Sequence, residues 1–218
     1  MTQHGNENKY TIVIGLTGGI ASGKSTVSRI LKEQGAVLLD GDQVAREIVQ
    51  DQEVLDTLEE SFGKKIIDKN GNLKRKALAA IVFSDRNRLE RLNRITHPKI
   101  KERMTEDLRR LRKKAVEEEN PQIILLDGAL LLEMGLERLA DETWVVSVDQ
   151  ETQLQRLMER DGINRDEAML RINAQMDERE RRKKADVMID NNGGIKELTE
   201  EVLENWERLT KKLEGERN

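Results

Sequence analysis

The chain has 218 residues, and its 38 lysines and arginines nearly balance 42 aspartates and glutamates, which leaves a net charge of −4. That balance argues against a general nucleic-acid binder, and the absence of cysteine excludes disulfides and thiolate metal sites. No apolar run approaches the roughly 20 residues that span a bilayer. The polar residues 1–9 lack the apolar segment of a secretory signal. We therefore expect a cytoplasmic protein without nucleic-acid or membrane partners.

Residues 10–39 are predicted to form a strand, a turn, a helix and a second strand. Tyr10–Leu16 is a short β-branched apolar run, typical of a strand buried on both faces. Ser25–Gln34 has helical spacing of apolar residues, and Gly35 is placed to end that helix. Ala36–Leu39 reads as a second strand. Such a βαβ unit favours parallel pairing with a right-handed crossover.

The turn between the first strand and helix matches the pattern G-x-x-x-x-G-K-[ST]. Glycines let the backbone curl so that its N–H groups face phosphate oxygens, and the following helix adds its positive N-terminal end. Lys24 would reach the β- and γ-phosphates, and the Ser25 hydroxyl would hold Mg²⁺. We therefore predict ATP and Mg²⁺ as cofactors. The predicted nucleotide-binding loop comprises Gly18, Gly19, Ile20, Ala21, Ser22, Gly23, Lys24, Ser25 and Thr26.

The rest of the chain alternates helical regions with short strands. Asp85–Glu119 is predicted as a long charged helix that Pro98 must kink or split. Further strands are predicted at Gln122–Asp127, Thr143–Val148 and Val187–Asp190. The pattern predicts an α/β protein with a doubly wound, mostly parallel sheet. Its parts are a phosphate-loop core (10–42, 121–149 and 186–213), a helical substrate-binding subdomain (43–120) and a helical lid (150–185).

Acidic residues end two of the predicted strands. Asp42 could take a proton from an attacking hydroxyl, and Arg46 could hold an anionic group of the substrate. Alternatively, Asp42 caps the next helix and Arg46 is solvated. Asp127 could bind Mg²⁺ through water, or be an ordinary aspartate at a strand-to-loop junction.

The predicted lid carries many arginines, which could simply form a solvated helix face. However, phosphoryl transfer spreads negative charge over equatorial oxygens, and closing lids commonly bring arginines to them. We predict that one or two of Arg160, Arg165 and Arg171 are functional.

These segments together resemble the dephospho-CoA kinase family nearly end to end. The similar stretches are Ile14–Val27, Leu38–Arg46, Phe62–Phe83, Ile95–Ile100, Leu125–Glu133, Arg156–Met176 and Ala185–Gly193.

The resemblance implies a kinase that moves the γ-phosphate of ATP to the ribose 3′-hydroxyl of dephospho-CoA, the last step of coenzyme A synthesis. It implies Asp42 as the general base and places Arg156–Gln175 in the lid. It implies Arg46 and His97 as further substrate contacts and places Asn191 near the adenine of ATP. We also predict Glu133 and Arg171 as substrate contacts, and Arg160 and Arg165 as nucleotide contacts. We expect a monomer or a weak homo-oligomer.

The chain departs from the family pattern at three positions. Gly41 stands where the family usually has alanine, which should loosen the turn slightly. Ala129 and Leu132 replace a usual proline and phenylalanine.

Three alternatives remain open at this point. Another phosphate-loop small-molecule or nucleotide kinase would share the loop but need other acceptor contacts. A GTPase-like switch would need an Asn-Lys-x-Asp segment, which the sequence lacks. A helical interaction protein that merely retains the loop would not depend on Lys24.

Overall fold

The computed structural model describes residues 9–82 and 85–215, so Phe83, the end of one similar stretch, lies outside the described residues. The described strands are β1 (Thr11–Gly18), β2 (Val37–Asp40), β3 (Gln122–Asp127), β4 (Glu142–Ser147) and β5 (Val187–Asp190). The described α-helices are α1 (Lys24–Glu33), α2 (Gly41–Ile48), α3 (Gln52–Phe62), α4 (Arg75–Val82), α5 (Arg86–Glu117), α6 (Gln150–Asp161), α7 (Arg165–Asn173), α8 (Glu178–Lys183) and α9 (Ile195–Gly215).

The five strands form one sheet in the order β2-β3-β1-β4-β5. Every pairing between them is parallel, so the sheet described here is wholly parallel rather than mostly so. All eight residues of β1 are buried, which is why its sequence lacks the alternation of apolar and charged residues typical of a half-exposed strand. The chain leaves β1 toward β2 on one side, while β4 and β5 lie on the other side. The carboxyl end of β1 is therefore a topological switch point, where open α/β sheets bind ligands.

The described residues divide into two compact units. The first contains the sheet, with the residues up to Asp40 and those from Asp107 onward. Its main core packs α1 and α9 against one face of the sheet, through side chains such as Leu31 and Val202. Trp144 of β4 is fully buried in the same core.

The second unit is the helical segment Gly41–Glu106. Its own apolar core includes Val54, Leu58, Ile66 and Val82. The predicted division into core, substrate-binding subdomain and lid stays a prediction, because the described residues form two compact units and not three.

The long helix α5 contains Pro98 in its interior and is not split there. Proline lacks an N–H, so it removes one backbone hydrogen bond, and the remaining turns of a 32-residue helix continue around it.

Segment 150–185, which was predicted to be a lid, contains three helices, and a capping side chain begins each of them. Asp149 caps α6 by accepting from the Thr152 N–H at 2.9 Å, and Asn164 caps α7 through the Glu167 N–H at 2.9 Å. Asp177 starts α8 by accepting from the Arg179 N–H at 2.7 Å. Short polar side chains at helix starts satisfy N–H groups that have no partner within the helix. Within residues 9–82 and 85–215, no helix is long and apolar enough to cross a membrane.

Candidate active site

The phosphate loop curls between the end of β1 and the start of α1. The Ser22 N–H donates to the Gly19 carbonyl at 3.0 Å and closes the turn. Ala21 and Gly23 have left-handed backbones, with φ of 58° and 96°. Helix α1 begins directly afterwards at Lys24. The predicted loop residues are therefore brought together at a helix N-terminus, the arrangement that favours a bound phosphate.

Two glycines of the loop are required by close approach. A Cβ on Gly18 would lie 2.5 Å from Ser22 Oγ, and one on Gly23 would lie 2.0 Å from Asn191 Nδ2. Ser22 is buried, and its hydroxyl has no hydrogen-bond partner among the described residues. A cradle of bare backbone with an unsatisfied hydroxyl fits a loop shaped for phosphate oxygens.

Asn191 follows β5 and connects that strand to the phosphate loop. Its N–H donates to the Ser147 carbonyl at 2.8 Å, and its Nδ2 donates to the Ser22 carbonyl at 2.7 Å. Arg156 Nη2 in turn donates to the Asn191 carbonyl at 3.1 Å. Asn191 thus supports the shape of the loop, while its predicted place near adenine stays a prediction.

The lysine of the loop forms an ion pair with Asp127, and both side chains are largely buried. Asp127 lies directly opposite Asp40 on the neighbouring strand β2. Since neighbouring strands are about 4.8 Å apart, the Cα atoms of these two aspartates are close together. Sequence analysis singled out Asp127 but not Asp40. The available signal was its position as the last residue of a strand, since parallel strands end at the same edge.

The residues proposed for Mg²⁺ suit that ion. Among the described residues there is no cluster of three or more His, Cys, Asp or Glu side chains of the kind that cages a metal. Magnesium is usually held by one or two carboxylates, with water and substrate phosphates completing its shell. Ser25 and the carboxylate of Asp127 supply oxygen ligands of this type.

Asp42 and Arg46 lie on α2 in the second unit. The helix begins at Gly41, so Asp42 is inside its first turn and is not the cap that the alternative interpretation required. Arg46 is exposed, and its Nε and Nη2 donate to Gln43 Oε1 at 3.1 and 2.9 Å. Arg75 Nη2 donates to the Arg46 carbonyl at 2.9 Å. Gly41 has no positive φ, so the loosened turn expected there is instead regular helix.

Two further residues were predicted to contact the substrate, His97 and Glu133, and they lie in different elements of the chain. His97 is half-buried in α5, one residue before Pro98. Glu133 is exposed in the turns after β3. Leu132 beside it is only 3% exposed, so leucine fills a core position where the family usually has an aromatic ring.

The three arginines that were selected from the sequence of segment 150–185 pair with acidic side chains of the same segment. Arg165 donates to both oxygens of Glu151 at 2.9 Å, which lowers the pKa of that carboxyl. Arg160 and Arg171 both pair with Asp161. The hydrogen bond from Arg160 is the largest cause of the lowered pKa of Asp161. A role at the phosphates would require these arginines to leave their present partners, and it stays a prediction.

Other side chains of the lid region do contact the loop. Gln175 Oε1 accepts from the Ile20 N–H at 2.6 Å, and Gln153 Nε2 donates to the Ile20 carbonyl at 2.7 Å. Arg181 is 5% exposed, and its Nη1 would lie 3.2 Å from a Cβ on Gly19. These residues line a cavity of about 360 Å³ beside Gly19. The two contacts to Ile20 were not predicted, because Gln175 and Gln153 lie 155 and 133 residues from Ile20 along the chain.

A parallel sheet with a phosphate loop at its switch point is the arrangement of phosphate-loop nucleotide-binding enzymes, the class that includes the phosphate-loop kinases. The family model described as dephospho-CoA kinase matches residues 12–197. A dephospho-CoA kinase from Carboxydothermus hydrogenoformans is 48% identical over 88% of this chain and 91% of its own length. The chain belongs to the dephospho-CoA kinase family.

Solved structures agree with this assignment. A crystal structure from Thermus thermophilus is 36% identical, with a TM-score of 0.74 over 91% of this chain and 97% of that one. A dephospho-CoA kinase from Campylobacter jejuni is 27% identical, with a TM-score of 0.68 over 92% and 98% of the two chains. The predicted family, the kinase class and the doubly wound α/β fold are therefore confirmed.

Proposed function

We propose that this protein transfers the γ-phosphate of ATP to the ribose 3′-hydroxyl of dephospho-CoA. The observation that carries the proposal is the phosphate loop itself. Its curled backbone leads into helix α1, and Lys24 forms an ion pair with Asp127 at the carboxyl end of β3. Membership of the dephospho-CoA kinase family supports the choice of acceptor.

Nucleotide binding involves an exchange of partners at Lys24. In the described structure this lysine pairs with Asp127, and the proposal requires it to bind the β- and γ-phosphates instead. Asp127 then becomes available as an oxygen ligand together with the Ser25 hydroxyl. The Mg²⁺ held there would neutralise phosphate charge.

Asp42 is proposed as the base that orients and deprotonates the acceptor hydroxyl. It follows the carboxyl end of β2 by two residues, the edge of the sheet where ligands bind in this fold. Arg46, exposed on the same helix, is proposed to hold an anionic group of the acceptor. The transfer is direct and in line, without a covalent enzyme intermediate.

Segment 43–120 is proposed to bind the acceptor, together with His97 and Glu133. Segment 150–185 is proposed as the lid over the nucleotide, with Arg160, Arg165 and Arg171 as its candidate phosphate contacts. We further propose a cytoplasmic monomer or weak homo-oligomer.

The decisive assay incubates the purified protein with ATP and Mg²⁺ against dephospho-CoA, nucleoside monophosphates and shikimate. We expect phosphorylation of dephospho-CoA alone, with the new phosphate located on the 3′-oxygen by phosphorus NMR. Activity on nucleoside monophosphates without activity on dephospho-CoA would overturn the proposal in favour of another phosphate-loop kinase.

The variant Asp42→Asn tests the assignment of the base. We expect kcat to fall by at least about 100-fold, because an asparagine amide cannot take the proton from the 3′-hydroxyl of dephospho-CoA. The dissociation constant of ADP should stay within about two-fold of the wild-type value. Asp56→Asn is the matched control, since Asp56 is exposed on α3 and bonded only locally to Gln52 at 2.7 Å. Unchanged turnover in Asp42→Asn would show that another group is the base.

A further inference from the structure

The phosphate loop is attached to the helices of segment 150–185 through the backbone of one residue, Ile20. Both polar atoms of Ile20 are bound by carboxamide side chains, Gln175 from beyond the end of α7 and Gln153 from α6. The backbone fixes which way each carboxamide is turned, because an N–H must meet an oxygen and a carbonyl must meet an NH₂. We call Gln153 and Gln175 the loop anchor.

Apolar packing supports the same attachment. The side chains of Ile20 and Ala21 pack against a small buried cluster of the lid helices formed by Leu154, Leu157 and Ala168. The tip of the loop is thus held to α6 and α7 by two hydrogen bonds and by apolar contact.

The anchor also explains a glycine that the phosphate-loop pattern does not require. A Cβ on Gly19 would lie 2.6 Å from Gln153 Nε2, at a backbone position that has no positive φ. Gly19 therefore provides room for the anchor side chain and is not needed for a special backbone conformation.

Ala21, the residue after Ile20, has a strained backbone conformation. Ala21 has a φ of 58°, a left-handed conformation that side-chain-bearing residues rarely adopt without support from their surroundings. The carbonyl of Ile20 belongs to the peptide group that joins Ile20 to Ala21, so the hydrogen bond from Gln153 restricts the rotation that would relax Ala21. The curl of Ser22 and Gly23, which aims the following N–H groups at phosphates, depends on that restriction.

We propose that Gln153 and Gln175 are positioning residues for phosphoryl transfer, which hold the phosphate loop in its nucleotide-binding shape from the lid. This inference rests on the proposed ATP-dependent function. It predicts that nucleotide affinity depends on the direction of each hydrogen bond: Gln175 must accept and Gln153 must donate.

One substitution made at both sites tests this dependence. Glutamate keeps an acceptor at position 175 but replaces the donor at position 153, while both variants add the same negative charge beside the backbone of the same residue, Ile20. We expect Gln153→Glu to weaken ADP binding by at least about 10-fold more than Gln175→Glu, measured by calorimetry at pH 7.5. In Gln153→Glu the KM for ATP should rise while the KM for dephospho-CoA stays unchanged.

Two further variants separate charge and folding from positioning. Gln155→Glu adds the same charge on the exposed side of α6, where Gln155 is bonded to Glu159 at 3.1 Å, and should bind ADP as the wild type does. Gln153→Met removes the donor at similar length without charge, and serves if Gln153→Glu does not fold. Equal losses in Gln153→Glu and Gln175→Glu, or a lower melting temperature with unchanged ADP affinity, would overturn the proposal. A wild-type protein that neither binds ADP nor uses ATP would instead refute the proposed function.

Discussion

Alanine at position 23 tests whether the phosphate loop is built against Asn191. Gly23 has a φ of 96°, and an added Cβ would lie 2.0 Å from Asn191 Nδ2. That nitrogen donates to the Ser22 carbonyl at 2.7 Å, in a buried hydrogen bond. The methyl group must therefore displace the amide and break this bond, in addition to straining the backbone.

The two costs can be separated. Left-handed backbone costs a non-glycine residue about 1–2 kcal/mol. A buried carbonyl left without its donor costs about 1–3 kcal/mol. Gly23→Ala should therefore lower the free energy of unfolding by about 2–5 kcal/mol. In an Asn191→Ala background the clash is already removed, so the same change should cost only the backbone strain of about 1–2 kcal/mol.

Urea unfolding without nucleotide measures this coupling. Trp144 and Trp206 both belong to the unit that contains Gly23 and Asn191, so their fluorescence reports that unit. Gly35→Ala is the matched control, because Gly35 has a φ of 102° but no described atom lies within 4 Å of the added Cβ. It should show the backbone cost alone. Additivity of Gly23→Ala and Asn191→Ala within about 0.5 kcal/mol would refute the packing argument.

Two further predictions concern ion pairs. Lys24→Met should reduce kcat for dephospho-CoA by about 100- to 1000-fold in a steady-state assay, because a charge facing the transferred phosphate is lost; unchanged turnover would show that Lys24 does not contribute to the transfer. Arg208→Ala should lower the free energy of unfolding by about 1 kcal/mol at pH 7, since Arg208 donates to both oxygens of Glu142 but is half exposed. The hydrogen bond from Arg208 lowers the pKa of Glu142, so this stabilisation is present above the ordinary value of 4.5 and is lost as the pH falls through the lower folded value. A difference from the wild type that does not shrink between pH 5 and about 3 in urea titrations would contradict this assignment.

The parts of the fold that could be predicted are those with local signals. The buried strand β1, the glycine-rich turn and α1 follow one another within a single stretch of sequence, so the apolar run and the motif together predict them. The end of β3 at Asp127 was predicted for the same reason. Helix boundaries were less accurate at Gly41, where helix replaces the expected turn.

The parts that were missed depend on contacts between distant segments. The sequence around Gln153 and Gln175 contains no motif that indicates that either side chain binds the backbone of Ile20. The buried Arg181 was hidden among other arginines of the same region, since composition does not distinguish a buried cation from a solvated one. The position of Asp40 opposite Asp127 was not predicted, because the register between two strands cannot be assigned until the order of the strands in the sheet is known.

The central position of β1 has a consequence for how the protein is made. Thr11 pairs with Gln122 and Ile14 pairs with Glu142, so the strand that leads into the phosphate loop has no sheet partner until most of the chain has left the ribosome. The helical unit Gly41–Glu106 is complete earlier and has its own apolar core. During synthesis β1 therefore stays without its sheet partners until β3 and β4 have been made, whereas the helical unit can form its own core before then.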